Sequence, residues 1–304
     1  MPSGIAREWL AVSGEISLPL LRAKGALPGP ALAVTAGVHG DEFEGVRALF
    51  DFFNSLDTSA LRGSVIAVPV ANPPAHRACR RTSPVDGVNL ARVFPGRDDG
   101  TVSEQIAAVL TREVIGKADF YLDLHSGGVR YAMPSMAGYA AFDPRGRAAA
   151  EAFGAPVIWG HPAIEPGRTI SIALELGIPF LYCEAWGSGR IAPADLLMMR
   201  RGITNLLRHL GMLPGMPDIP APPRVLSGAG NTDDGLAAGA DGFLMLDVLL
   251  LDRVIAGQRL GRLVDLQGST IETYAAPRSG TVALTHEMPV VARGDTLFLL
   301  ADEE

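Results

Sequence analysis

Short apolar runs that stop abruptly at polar residues recur along the first two thirds of the chain. Ala31-Leu32-Ala33-Val34 reads as a buried strand. It gives way to Thr35-Ala36-Gly37-Val38-His39-Gly40-Asp41-Glu42-Phe43-Glu44-Gly45, after which Phe43, Val46, Leu49, Phe50 and Phe53 recur at helical spacing. Residues 63–70 form a second, β-branched-rich strand closed by Ala71-Asn72-Pro73-Pro74, which neither a helix nor a central strand should tolerate. Residues 118–124 form a third, ending at His125-Ser126-Gly127-Gly128, and residues 178–183 a fourth, ending at Glu184. Helical periodicity covers residues 103–115, with Ser103 as the cap, and residues 144–153, 168–176 and 192–210. Residues 156–159 read as a short strand, and residues 8–12 and 15–22 as a strand pair joined near Ser13-Gly14. Strands alternating with helices predict βαβ units and a mainly parallel sheet. Residues 75–99 lack periodicity and are rich in Arg and Pro, and a loop that long in a compact domain is usually functional.

The pattern changes at Gly211-Met212-Leu213-Pro214-Gly215-Met216-Pro217, the start of a Pro/Gly linker. Beyond it, residues 242–251, 259–264, 271–274, 281–284 and 296–300 are strand candidates with no helix among them. The expectation is an α/β domain over residues 1–216 and a small all-β domain over residues 217–304. The length of 304 residues allows that division, and 48% hydrophobic with 19% charged residues supports a packed core and excludes disorder. A net charge of -7 with no basic run argues against nucleic acid, and the apolar runs are too short and broken for a membrane span. Met1-Pro2-Ser3-Gly4 leads into charged residues without a signal-peptide core, and Cys79 and Cys183 make no disulfide framework. These features predict a soluble cytoplasmic protein in which Cys183 is a small core residue rather than a nucleophile.

The candidate chemistry gathers at the strand ends. His39 and Glu42 stand three residues apart where a strand meets a helix, at the carboxyl edge where open α/β sheets bind their ligands. Alone, the pair more often marks a helix N-terminus carrying favourably placed acids than a metal site. His125 ends a neighbouring strand, and a parallel sheet brings it to the same edge. Two histidines and one carboxylate with an open position match a catalytic zinc site, one Zn²⁺ per chain, with Asp123 orienting His125 from behind. On its own, His125 would read as a core histidine. A carboxylate at the end of an apolar strand is costly unless it faces a cleft or a partner, so Glu184 reads as the general base, against the plainer reading of a capping or ion-paired residue. Arg77, Arg80, Arg81, Arg92 and Arg97 crowd the long loop. Any one of them is individually a solvated charge, but a fixed guanidinium could hold a carboxylate or steady an oxyanion. Asn72 and Asn89 could add donors.

Taken in order, these residues resemble a known family. Gly37-x-His39-Gly40-Asp41-Glu42, Asn72-Pro73, Arg81-x-Ser83-Pro84-x-Asp86-Gly87-x-Asn89-Leu90-x-Arg92-x-Phe94-Pro95-Gly96, Asp123-x-His125-Ser126-Gly127-Gly128 and Glu184 look like the succinylglutamate desuccinylase/aspartoacylase family, of the zinc-carboxypeptidase-like superfamily. In the tail, Ala276-Pro277-Arg278-Ser279-Gly280 and Val291-x-x-Gly294-Asp295-x-Leu297 resemble the family's C-terminal β-domain. The resemblance implies a carboxypeptidase-like sheet flanked by helices, followed by that β-domain. It implies His39, Glu42 and His125 as zinc ligands, Glu184 as general base, Arg81 as the group that polarises the scissile carbonyl, and Arg92 as a substrate-carboxylate anchor. The implied reaction is hydrolysis of an N-acyl amino acid to a carboxylate and a free amine.

Two positions depart from the family's pattern or mark this chain out. The residue before Arg92 is Ala91, where the family usually has an Asn that helps hold the substrate carboxylate. Either the substrate lacks the usual α-carboxylate or another donor, Arg190 or His161, substitutes. Trp186, close after Glu184, either lines a substrate pocket or simply packs. The tail's Val-x-x-Gly-Asp pattern also resembles lipoyl-type carrier domains, but the only lysines are Lys24 and Lys117, so the carrier reading fails. The β-domain would instead narrow the active-site entrance or support a homo-oligomer. The resulting expectation is a zinc-dependent deacylase acting on a small-molecule linear amide. Its alternatives are a zinc carboxypeptidase, which requires an open cleft, and a non-catalytic small-molecule binding protein of the same fold.

Overall fold

The apolar runs fold as neighbouring strands of one large sheet. The computed structural model describes residues 4–14 and 16–304; Met1-Pro2-Ser3, read above for a signal peptide, and Glu15, assigned above to a strand, lie outside the described residues. The first half runs β1 (Gly4–Ser13), β2 (Ile16–Lys24), β3 (Leu27–Ala36), α1 (Glu44–Ser55), β4 (Arg62–Val68), α2 (Pro73–Arg77), α3 (Val102–Glu113), β5 (Phe120–Ser126), β6 (Tyr131–Ala132), β7 (Met136–Ala140) and α4 (Pro144–Phe153). It continues with β8 (Val157–His161), α5 (Thr169–Glu175), β9 (Phe180–Ala185), α6 (Pro193–His209), β10 (Arg224–Ser227), β11 (Leu236–Ala237) and β12 (Gly242–Leu246). The chain ends with β13 (Arg253–Val254), β14 (Arg259–Val264), β15 (Thr270–Ala275), β16 (Gly280–His286), β17 (Val290–Val291) and β18 (Thr296–Glu303).

The centre of the sheet is β4-β3-β5-β9, all parallel, and its order continues through β7, β8, β10 and β18. Buried parallel strands need apolar residues on both faces, which is why β3, β5 and β9 read as continuous apolar runs. One face is covered by α1, α4 and α6 through Val46, Leu49, Phe53, Phe153, Met199 and Leu206. The other is covered by α3 and α5 through Ile106, Leu110, Ile170 and Ile172. A helix on each face leaves the strand ends as the accessible edge. No helix among the described residues is long and apolar enough to cross a membrane.

The structure revises several local expectations. Phe50 is exposed and Phe52 takes the buried position on α1. The Pro-Pro segment after Asn72 begins a short helix, because proline is tolerated in the first turn, where its missing N–H is not needed. The cap of α3 is Thr101, in a reciprocal capping box with Glu104, while Ser103 donates to Asp86. β7, with the sequence Met-Ala-Gly-Tyr-Ala, has no β-branched residue and was not anticipated; it runs antiparallel to β9. The sheet also crosses the boundary expected near residue 217. β10 pairs parallel with β8, and β18 pairs with β10, so strands after the linker continue the sheet that begins at β1. Only β12, β14, β15 and β17 form a separate four-stranded sheet, with its own core around Leu244, Leu263 and Phe298.

Candidate active site

β3, β5 and β9 deliver the site to one edge. In register, Ala36 lies beside Leu124, and His125 beside Glu184. After β3 the chain turns at Gly37, whose φ of +61° suits glycine, and the loop carries His39 and Glu42 over the end of β5. A Cβ on Gly40 would lie 2.0 Å from the Ala75 carbonyl carbon, so the loop packs directly on the backbone of α2.

His39, Glu42 and His125 converge. Their donor atoms all lie within 4.8 Å of one another. His39 Nδ1 is 2.7 Å from Glu42 Oε1, and His125 Nδ1 is 2.8 Å from Glu42 Oε2. The far nitrogens are also engaged: His39 Nε2 is 3.1 Å from Asn89 Oδ1, and His125 Nε2 is 2.9 Å from Asp123 Oδ2. The Ala91 N–H donates to the same Asn89 oxygen, which fixes that amide's orientation. Asp123 is buried and is held by the Thr35 and Thr169 hydroxyls.

Charge in this cluster follows its geometry. Burial would raise the Glu42 pKa, but the two imidazoles hold its carboxyl well below the usual range. Burial would lower that of His125, but Asp123 and Glu42 on its two nitrogens raise it well above the ordinary histidine value. Burial and the Arg81 charge push His39 down to about 4. A neutral His39 has one proton and two acceptor neighbours. With Nε2 carrying that proton and donating it to Asn89 Oδ1, the Nδ1 lone pair faces a carboxylate oxygen, and a cation between them would turn the contact attractive. Two imidazole nitrogens and a carboxylate suit Zn²⁺, and far nitrogens donating to oxygen are the usual support for such ligands. The residues therefore fit a zinc ion.

Glu184 stands beside them. Its Oε2 is buried and has no hydrogen-bond partner. Burial pushes its pKa up to about 8, a shift opposed by His125 and Arg81 and reinforced by Glu42. Arg81 donates to Glu42 Oε1 at 3.3 Å and is one third exposed, at 34%.

His39, Arg81, His125 and Glu184 line a cavity of about 150 Å³ with Ala91, Arg168, Tyr182 and Asn231. A neighbouring cavity of about 100 Å³ shares His39, Arg81 and Glu184 and adds Tyr131 and Asp233. Arg92 lines the first cavity, but its Nε and Nη2 donate to Asp233 Oδ2 at 3.1 and 3.0 Å. Asn89 is engaged by His39. Asn72 does not reach the cavity: it is buried, caps α2 through Oδ1 and donates to the Val38 carbonyl. Trp186 is half-buried outside the lining, with its carbonyl accepting the Met133 N–H. Of the two substitute donors, His161 lines the cavity, whereas Arg190 is exposed and does not.

Sequence reasoning did not single out Arg168, Tyr182, Asn231 or Asp233. Arg168 stands at the start of α5, half-buried, and donates to Asn231 Oδ1 at 2.9 Å. Its pKa is lowered by burial and by the neighbouring Arg92. The available signal was a charged residue between a glycine and an apolar helix. Its partner, 63 residues away, was not readable.

Residues 28–210 match the sequence profile of the succinylglutamate desuccinylase/aspartoacylase catalytic domain. An N-alpha-acetyl-L-2,4-diaminobutyric acid deacetylase of Halomonas elongata is 35% identical over 297 residues, covering 95% of this chain and 86% of that protein. The product-bound structure of the ectoine utilization protein EutE (DoeB) from Ruegeria pomeroyi superposes with a TM-score of 0.89 at 29% identity, covering 99% of this chain and 96% of the other. A succinylglutamate desuccinylase/aspartoacylase structure from Rhodobacter sphaeroides gives 0.88 at 28% identity, covering 99% and 95%.

Proposed function

The chain belongs to the succinylglutamate desuccinylase/aspartoacylase family, and on that premise we propose that it is a zinc-dependent amidohydrolase that removes a small acyl group from the α-nitrogen of an amino acid. The Halomonas relative supports N-acetyl-2,4-diaminobutyrate as the first substrate to try. One observation carries the reading: two imidazole nitrogens and a carboxylate converge on one buried point beside the unpartnered Glu184 Oε2.

The chemistry that a zinc ion supplies there is Lewis acidity, which polarises the scissile carbonyl and acidifies the attacking water. Asp123 and Asn89 accept the outer N–H groups of His125 and His39, so both Nδ1 lone pairs face inward. Glu184 takes the proton of the attacking water and returns it to the leaving nitrogen. The C–O bond forms, the C–N bond breaks, and the products are a carboxylate and a free amine. Arg81 donates to the carbonyl oxygen as negative charge grows on it. Ala91 contributes only a methyl to the cavity wall and Arg92 already holds Asp233, so Arg168 is the guanidinium left to meet a substrate carboxylate.

A volume of about 150 Å³ lies below the roughly 300–1,000 Å³ of drug-sized pockets. Ala229, Gly230, Asn231 and Thr232, from beyond the linker, form part of the wall. Both features favour a small substrate over a peptide in an open cleft. The test is amine release from N-acetyl-2,4-diaminobutyrate, N-acetylaspartate, N-succinylglutamate and a dipeptide, with and without a chelator. Chelator-sensitive release from an N-acyl amino acid, with the dipeptide untouched, is the expected result. Turnover of the dipeptide alone would replace the reading with a carboxypeptidase.

A further inference from the structure

Tyr182 and Glu184 are two residues apart on β9, so both side chains leave the same face of the sheet, and both line the cavity. At the end of β8, His161 packs against two rings: its centroid is 5.6 Å from that of Tyr182 at 26°, and 5.2 Å from that of Trp159 at 37°. Its Nδ1 is 3.1 Å from the Gly228 carbonyl oxygen, and its Nε2 is 2.6 Å from the Tyr182 hydroxyl.

These contacts fix every proton. A carbonyl oxygen only accepts, so Nδ1 carries the hydrogen. The ring is buried, and burial, with the nearby Arg168 charge, pushes its pKa down to about 4, so it holds that one proton at neutral pH. Nε2 is then a bare acceptor, and Tyr182 donates its hydroxyl proton to it. A phenol has one proton, so the Tyr182 oxygen offers the cavity lone pairs only. The Gly228 carbonyl is itself held by the Trp159 indole N–H at 3.2 Å. Gly230 lets this segment lie against the imidazole, since a Cβ there would sit 2.3 Å from His161 Cε1.

A hydroxyl reduced to an acceptor favours an N–H group and rejects a carboxylate. Glu165 adds a negative charge to the same lining, and Arg168 stands among these groups for an anionic end. Building on the deacylase reading, we propose that Tyr182 is a specificity-determining residue that receives the side-chain ammonium of a diamino-acid substrate, and that His161 is the positioning residue that keeps its hydroxyl an acceptor.

The test compares binding of 2,4-diaminobutyrate and 2-aminobutyrate, which lacks the side-chain amine, to the zinc-supplemented protein by calorimetry. Kinetics on the two N-acetyl derivatives run alongside. The wild type should favour the diamine by about tenfold to a hundredfold, as expected for a hydrogen bond to a charged group. Tyr182→Phe should collapse that ratio toward one, mainly through KM for the diamino substrate. His161→Leu releases the tyrosine proton, and the preference should shift toward N-acetylaspartate; His161→Gln, whose amide oxygen accepts that proton, should restore part of the diamine preference. A wild type without preference, binding of neither ligand, or a Tyr182→Phe ratio within twofold of wild type would overturn the proposal. Diamine-selective binding without turnover would instead overturn the deacylase reading and leave this one standing.

Discussion

Glu184 combines a buried, unpartnered oxygen with a pKa pushed up to about 8 by its surroundings. If it shuttles the proton, Glu184→Gln should lower kcat by about 10²–10⁴-fold while the variant still binds one zinc; near-normal turnover of that variant contradicts the mechanism. The sign of the pH effect on stability follows. An acid whose folded pKa stands above its unfolded 4.5 favours folding while protonated, and that contribution is lost as pH rises through about 8. Chelator-stripped wild type should therefore melt at the same temperature as Glu184→Gln below pH 4.5, and several degrees lower above pH 8. Thermal scans at the two pH values check this. A zinc ion opposes the burial effect, so in the loaded enzyme kcat/KM should rise with pH along a limb centred below 8. Arg81→Ala should cost about 10²–10³-fold in kcat with zinc retained, as for loss of an oxyanion donor.

At the scale of elements, the site depends on loops that can lie close to their neighbours. Gly40 has no space for a side chain against the Ala75 backbone, so Gly40→Ala should displace His39 and Glu42 and lower zinc affinity; titration of the variant with an unaltered affinity would contradict this. Asp123 fixes His125 from within β5, and Asp123→Asn should weaken zinc binding by about 10–100-fold. These elements were also the legible ones. β3, β5 and β9 are apolar on both faces and stop at His39, His125 and Glu184, so the run and its polar end are visible together. β7 was not visible, because Met136, Gly138 and Ala140 carry no strand preference and the strand forms by packing on Tyr182 and pairing with β9. Asn72 is a contrasting case: a polar residue in a family motif reads as a possible substrate donor, but in the fold its Oδ1 caps α2 and its Nδ2 donates to the Val38 carbonyl.

Across the whole molecule, the segment after the linker completes the cavity. Asn231 meets Arg168 and Asp233 meets Arg92, contacts spanning 63 and 141 residues of sequence. No local pattern announces such pairs, which is why the His39–Glu42–His125 cluster could be read from the chain and the wall of the cavity could not. The Arg92–Asp233 pair is partly exposed, at 28% and 62%, so Asp233→Ala should change stability by less than about 1 kcal/mol while freeing Arg92 and lowering KM for carboxylate-bearing substrates. The proposed hydrolase rests on His39, Glu42 and His125 holding a metal ion at this cavity. Its most direct test is titration of zinc into chelator-stripped protein while amine release from N-acetyl-2,4-diaminobutyrate is followed. Activity should be absent at the start, rise in proportion to added metal and saturate at one zinc per chain. Full activity in the stripped protein, or one bound zinc with no release from any N-acyl amino acid, would contradict it.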